Sequence, residues 1–384
     1  MRRASIHRTV LALTLAACGA DASGAPSPPA APPAHTSAAT TPSPPGAGAD
    51  PTIGRADATG TLRAVHIASR VGTTGPADTT PKRALAKDGV TLFAVLDIEV
   101  DGRRTLYSDA PSLRWKGALV TPVPLARAPR IALAWQRIEP AVADLSNTRS
   151  GAFRYEAIPY QATAIAATGG AIAADVRPTL TPDHGHGLGT MRYQLVARQG
   201  DRTIASPGVD ARRGRGSGGL SDDVHRVSLR ADDTFLGLLG EMYGQPYIWA
   251  SAGATDRTHQ SERLEGSDCA DLMVYGARRL GLAIPYGWTG SLEQHARVLG
   301  AGALADDGIY RDARGRAVAF TRPGDLVLFP RHVGALVEDR GTIGVLDDDD
   351  LMLHTLFDSP KTQPIADSGY ADNPIKVLRW KQLR

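Results

Sequence analysis

The segment Gly266-Ser267-Asp268-Cys269-Ala270-Asp271-Leu272 sets a thiol at the mouth of an amphipathic helix. Leu272, Met273, Gly276, Ala277 and Leu280 follow Cys269 at the spacing of a single helical face, so that face is expected to be buried. Ser267 and Asp268 are N-cap residue types, and Gly281 suits the residue that ends a helix. A sulfur in the first turn lies near unpaired N–H groups and the positive end of the helix dipole, both of which favour thiolate. A thiolate is the nucleophile of covalent acyl transfer. The alternative for such a residue is a small buried core side chain.

The chain has 2 cysteines, so the fate of the other bears on that choice. Residues 1–17 carry a basic head, a short apolar run and small residues before the break. This describes a secretory signal rather than a membrane span, which needs about 20 apolar residues. Leu15-Ala16-Ala17-Cys18 resembles a bacterial lipobox, which implies that Cys18 becomes a lipid-modified first residue, anchored to the membrane without crossing it. An ordinary cleaved signal is the alternative. Gly19, rather than Asp, after the lipid site implies sorting to the outer membrane, facing the periplasm. With Cys18 consumed, Cys269 has no disulfide partner, and an exported protein keeps one free thiol either for chemistry or for burial.

Residues 18–57 are rich in Pro, Ala, Ser and Thr and read as a disordered tether that reaches on the order of 100 Å. The remainder of the 384 residues has room for two domains. Residues 58–210 show short alternating or apolar runs between turn residues: 90–100 ending at Asp101-Gly102, then 131–135, 153–158 and 191–196. They predict a β-rich sandwich or barrel that binds wall, docks a partner or covers the second domain, with its ligand left open. Residues 211–230 are Gly/Arg/Ser-rich and read as a linker. The basic run Arg212-Arg213-Gly214-Arg215 is exposed linker rather than a binding patch, and a net charge of +3 gives no case for nucleic acid.

The second domain, 231–384, reads as a helix over 232–243, the Cys269 helix and then strands at 324–329, 332–337 and 351–356. Antiparallel pairing of the last two brings His332 and His354 into one neighbourhood. Two further clusters carry ligand-type side chains. Asp183-His184-Gly185-His186, with Met191, offers metal-ligand types, but two histidines fall short of the four convergent ligands of a structural zinc, and a polar loop is the better reading. The acidic run Asp347-Asp348-Asp349-Asp350 lacks the spaced ligands of a calcium loop and reads as a solvated hairpin tip.

Residues 240–384 resemble the NlpC-type branch of the papain-like cysteine peptidases, bacterial enzymes that cut peptidoglycan stem peptides. Gly244-Gln245-Pro246-Tyr247-Ile248-Trp249 is similar to the family's Gly-x-Pro-Tyr-x-Trp, and Asp268-Cys269 with Leu272 to its Asp-Cys-Ser-Gly-Leu box. Pro285 and Gln294 fit its proline-and-glutamine stretch. Pro323-Gly324-Asp325-Leu326-Val327-Leu328-Phe329, His332-Val333-Gly334 and Leu353-His354 follow in the family's order.

The resemblance implies an α+β fold with the cysteine helix packed on an antiparallel sheet. It implies Cys269 as nucleophile, His332 as its acid–base partner and His354 as the residue that orients His332. Tyr247 and Asp268 would help form the oxyanion hole and grip the free amine of the stem. The family serine and glycine after the cysteine are Ala270 and Asp271 here, and Ala250-Ser251-Ala252-Gly253, with an insertion through Glu265, replaces the family Gly-Gly. Asp271 is the carboxylate available to replace the missing serine contact. The expected activity is hydrolysis of a stem-peptide amide of the γ-D-glutamyl–diaminopimelate type, with no metal or organic cofactor. An amidase or acyltransferase of the same fold, or a non-catalytic lipoprotein that binds wall or a partner, are the rivals.

Overall fold

The computed structural model describes residues 51–148, 152–214 and 216–383, all within one compact unit, Ala47–Arg384. The signal, Cys18 and most of the tether lie outside the described residues. The chain is a strand-rich α/β protein. No helix among the described residues is long and apolar enough to cross a membrane.

The first half is built from β1 (Thr61–Val71), β2 (Lys82–Leu85), β3 (Val90–Val100), β4 (Arg103–Tyr107), β5 (Ile131–Pro140), β6 (Asp144–Ser146), β7 (Gly189–Gln199) and β8 (His225–Arg230). β1, β3 and β4 lie side by side in one antiparallel sheet. The β3–β4 turn is Asp101-Gly102, both with positive φ (50° and 73°), the conformation that a two-residue hairpin loop demands. In the second sheet β5, β7 and β8 are antiparallel neighbours and β2 closes on β8 in parallel. Leu92, Leu96 and Ile98 from one sheet meet Leu133, Trp135 and Leu195 from the other in a single core. Each such side chain contributes about 2–3 kcal/mol on burial.

The boundary differs from the linker expected at 211–230, because β8 is an internal strand of the second sheet. Its charged residues disguise it. Arg226 donates to the Arg263 carbonyl (2.6 Å) and Arg230 to the Glu241 carboxylate (3.1 Å), so these arginines dock the second half rather than face water. The strand expected at 153–158 is irregular, with only a bridge between Thr148 and Arg154. Side chains satisfy its backbone instead: Asn147 Oδ1 accepts the Glu156 N–H, and Arg212 donates to the Ile158 carbonyl.

The second half comprises α1 (Phe235–Leu239), β9 (Tyr247–Trp249), α2 (Cys269–Arg279), β10 (Ala296–Leu304), β11 (Leu326–Phe329), β12 (His332–Glu338), β13 (Leu351–His354), β14 (Lys361–Pro364) and β15 (Ile375–Trp380). α1 is shorter than the span expected and continues as a 3₁₀ turn, Gly240–Met242. β10, β15, β11, β12, β13 and β14 lie in that order in one antiparallel sheet. The apolar face of α2 packs on it, with Leu272 and Met273 in one cluster with Val333, Ala335, Leu353 and Leu378.

The acidic run is not the solvated tip expected. Asp347 and Asp350 are buried, and their carboxylates accept the N–H groups of Thr342, Asp349, Arg340 and Asp347. They fold the loop by replacing strand partners.

The halves are joined through polar groups removed from water. Glu241 is fully buried and holds Arg83 and Arg230 from the first half, with Arg279 and Tyr275 from the second. Cutting away one partner of such a cluster strands the buried charge, at about 3–5 kcal/mol.

Candidate active site

α2 begins at Cys269 because Asp268 caps it: Asp268 is extended (φ −84°, ψ −178°) and Oδ1 accepts the Asp271 N–H at 2.9 Å. Gly281 follows the helix with φ +87°. Gly266, just upstream, has φ +141°, and a Cβ there would lie 2.4 Å from the Pro246 carbonyl oxygen. Only glycine allows the chain to run this close beside 246–248, where Ile248 donates to the Ser267 carbonyl at 2.9 Å. The same short strand, β9, is paired in parallel with β6 of the β-rich half, Asp144 opposite Tyr247. Tyr247 is thus clamped between the β-rich half and the segment that leads into the cysteine.

Cys269 is buried, with 6% of the residue exposed. It packs in one cluster with Val333 of β12, the residue that follows His332, and the Val333 and Ala270 N–H groups favour its thiolate. His332 and His354 lie on adjacent antiparallel strands, and His332 Nε2 is 2.8 Å from His354 Nδ1. His332 Nδ1 is buried without a hydrogen-bond partner. Two neutral imidazoles bridged by one hydrogen have two tautomeric arrangements. When His332 Nε2–H is the donor, Nδ1 of His332 carries a lone pair and can accept a proton.

Burial decides the resting protonation states. It pushes the Cys269 thiol well above its ordinary range, and the Asp268 carboxylate adds to the rise, while the N–H groups of Val333 and Ala270 oppose it. The thiolate expected from the helix dipole is therefore overridden by desolvation. Burial, reinforced by His354, holds His332 well below its ordinary value. Burial also lowers His354 to about 4, with Lys361 adding to the effect. Thiol and imidazoles rest neutral.

Tyr247 is buried, and burial followed by the nearby Cys269 and Asp268 raises its phenol. The Phe357 ring lies edge-on to it at 5.5 Å and is 66% exposed. Asp268 is partly exposed. Asp271 faces inward instead of offering a free carboxylate: it is 3% exposed, accepts a hydrogen bond from Ser251 and lies 3.4 Å from His259 Nε2. Ala250 takes a left-handed φ of +57°, and its carbonyl is held by Asn147 of the β-rich half at 2.9 Å.

One site residue escapes the sequence motifs. Tyr370 stacks on His332 at 4.7 Å between ring centroids, and Cys269 is among the groups that raise its phenol. It follows a 3₁₀ turn (Ile365–Ser368) and carries no local signal; only its place between β14 and β15 brings it to the site.

His184 is held by Asp358 at 3.0 Å, and His186 has a positive φ of 50°. Among the described residues no group of three His, Cys, Asp or Glu side chains is arranged to hold a metal ion. A cavity of about 670 Å³ lies in the β-rich half and is lined by Arg63, His66, Trp115, Lys116, Asp222 and Asp223 among others. None of its lining residues belongs to the Cys269 site. Compared with protein-family models, curated proteins and solved structures, the chain finds no match in any of the three.

Proposed function

We propose that residues 231–384 form an NlpC-type cysteine hydrolase that cleaves amide bonds in peptidoglycan stem peptides, the γ-D-glutamyl–diaminopimelate linkage foremost. The observation that carries this reading is the convergence of three motif residues from separate elements. Cys269 heads a helix and packs in one cluster with Val333, and the adjacent His332 bonds to His354 while Nδ1 stays unpartnered.

Because the pair rests neutral, the thiol gives up its proton as it attacks. The Cys269 S–H proton passes to His332 Nδ1 while Sγ bonds to the amide carbon. The carbonyl oxygen becomes an oxyanion beside the Cys269 N–H, which the helix start leaves without an intrahelical acceptor. His332 then protonates the leaving nitrogen, the C–N bond breaks and a thioester remains. Water attacks the thioester, gives its proton to His332, and the C–S bond breaks as that proton returns to sulfur. His354 holds His332 throughout in the tautomer that leaves Nδ1 able to take the thiol proton.

The further proposal is that the protein works at the cell envelope, exported and lipid-anchored through Cys18, with the tether spanning to the wall. Its supports are the signal-like 1–17, the lipobox-like stretch and the Pro/Ala-rich 18–57. A second reading within the same chemistry, an amidase or acyltransferase, draws on Ala270 and Asp271. The family's amine-binding serine is absent, and Asp271 is engaged elsewhere. Digestion of purified wall, with the new ends mapped by mass spectrometry, tests the choice. Free diaminopimelate amines and γ-glutamyl carboxylates support the peptidase, and intact stem peptides rule it out.

A further inference from the structure

This chain departs from the NlpC-like pattern in the 250–265 insertion and at Asp271, and the two departures meet in space. Ser251 Oγ donates to Asp271 Oδ2 and accepts the Asp268 N–H at 3.0 Å. His259 Nε2 is 3.4 Å from the same carboxyl oxygen. The Ser261 N–H donates to His259 Nδ1 at 3.2 Å, so in the neutral ring Nε2 carries the hydrogen, with the Ser251 backbone and the Asp271 carboxyl group beside it. The His259 ring lies flat on Tyr286, 3.7 Å between centroids and 5° between planes. Ser251, His259 and Asp271 are all buried. The serine bonds to the carboxyl group and not to the imidazole, so these three are no second nucleophile triad.

The chain of bonds leads to the Asp268 N–H. Asp268 is held at its N–H by Ser251 and at its carboxylate by the Asp271 N–H, and the next peptide unit carries the Cys269 N–H. We propose that Ser251, Asp271 and His259 are positioning residues: they lock Asp268, and through it fix the directions of the Cys269 N–H and sulfur. This rests on the hydrolase reading above. The insertion and the Gly-to-Asp replacement then form one device that substitutes for the family's Ser-Gly. Misplacing a reacting group by about 1 Å costs roughly 100-fold in rate.

The test compares Ser251→Ala and Asp271→Asn with the full-length wild type. Three readouts are taken: turnover of stem peptide, Cys269 alkylation by iodoacetamide, and amide exchange at Asp268. Ser251→Ala should lower kcat about 10- to 100-fold with KM nearly unchanged, and speed exchange at Asp268 while circular dichroism stays native. Asp271→Asn retains a carbonyl acceptor for Ser251 and should keep most of kcat. Wild-type kcat and Asp268 exchange in Ser251→Ala would overturn the positioning role while leaving the hydrolase standing. A wild-type protein that neither turns over nor alkylates overturns both.

Discussion

His332 Nε2 lies 2.8 Å from His354 Nδ1, while the other nitrogen of His332 is buried without a partner. One imidazole therefore fixes the other, and in the tautomer where His332 Nε2–H is the donor its Nδ1 keeps a lone pair that can take a proton.

Replacing His354 tests that division of labour. His354→Ala should reduce kcat about 100-fold or more with little change in KM, because the His332 ring loses the contact that sets its tautomer. His354→Asn, which offers a carbonyl oxygen to the His332 Nε2–H, should recover a substantial part. Steady-state kinetics of the two variants provide the comparison; equal losses would show that His354 does not act through its hydrogen bond.

Tyr370 covers one face of the His332 ring. Tyr370→Phe should preserve turnover within about threefold if stacking is its contribution, whereas Tyr370→Ala should lose at least tenfold. A loss in Tyr370→Phe as large as in the alanine variant would instead assign the role to the phenolic hydroxyl.

In the loop before β13, Asp350 accepts two backbone N–H groups and is fully buried, whereas neighbouring Asp349 is exposed. Asp350→Ala should destabilise the fold by about 1–3 kcal/mol by stranding those donors. Asp349→Ala should change stability by less than about 0.5 kcal/mol. Urea unfolding distinguishes the two.

Stability should also depend on acid through His225, which burial lowers to about 4 and whose Nε2 is 2.9 Å from Ser69 Oγ. Its unfolded value is about 6.5, so between these limits the unfolded chain binds the proton and the folded chain does not. The contribution is present above about pH 6.5 and is lost as pH falls towards 4. Asp350, raised by burial to about 7, acts with the opposite sign, since the folded chain then holds a proton that the unfolded one releases. Melting temperatures from pH 6.5 to 4.5 should fall less steeply in His225→Gln than in the wild type, with Asp350 common to both.

The helix of Cys269, its cap and the two histidine strands were legible because each follows from local pattern: apolar spacing, a capping carboxylate, short apolar runs. What was hidden depends on partners distant in sequence. β8 looks like linker because Arg226 and Arg230 spend their charges on the other half. Asp347 and Asp350 look solvated because composition does not reveal which carboxylates will cap backbone. Tyr370, His259 and the inward turn of Asp271 follow from the tertiary fold alone. The neutral resting thiol shows the limit most clearly, since sequence locates a helix dipole but not the desolvation that outweighs it.

The mechanism requires a covalent bond between Cys269 and the acyl half of a stem peptide. Incubation with a γ-D-glutamyl–diaminopimelate peptide, acid quench and peptide mapping by mass spectrometry tests it directly. A thioester on Cys269 that is missing in Cys269→Ala and depleted in His332→Ala is the expected result. Cleavage of the peptide at wild-type rate by Cys269→Ala, or intact peptide with unmodified Cys269 throughout, would contradict it.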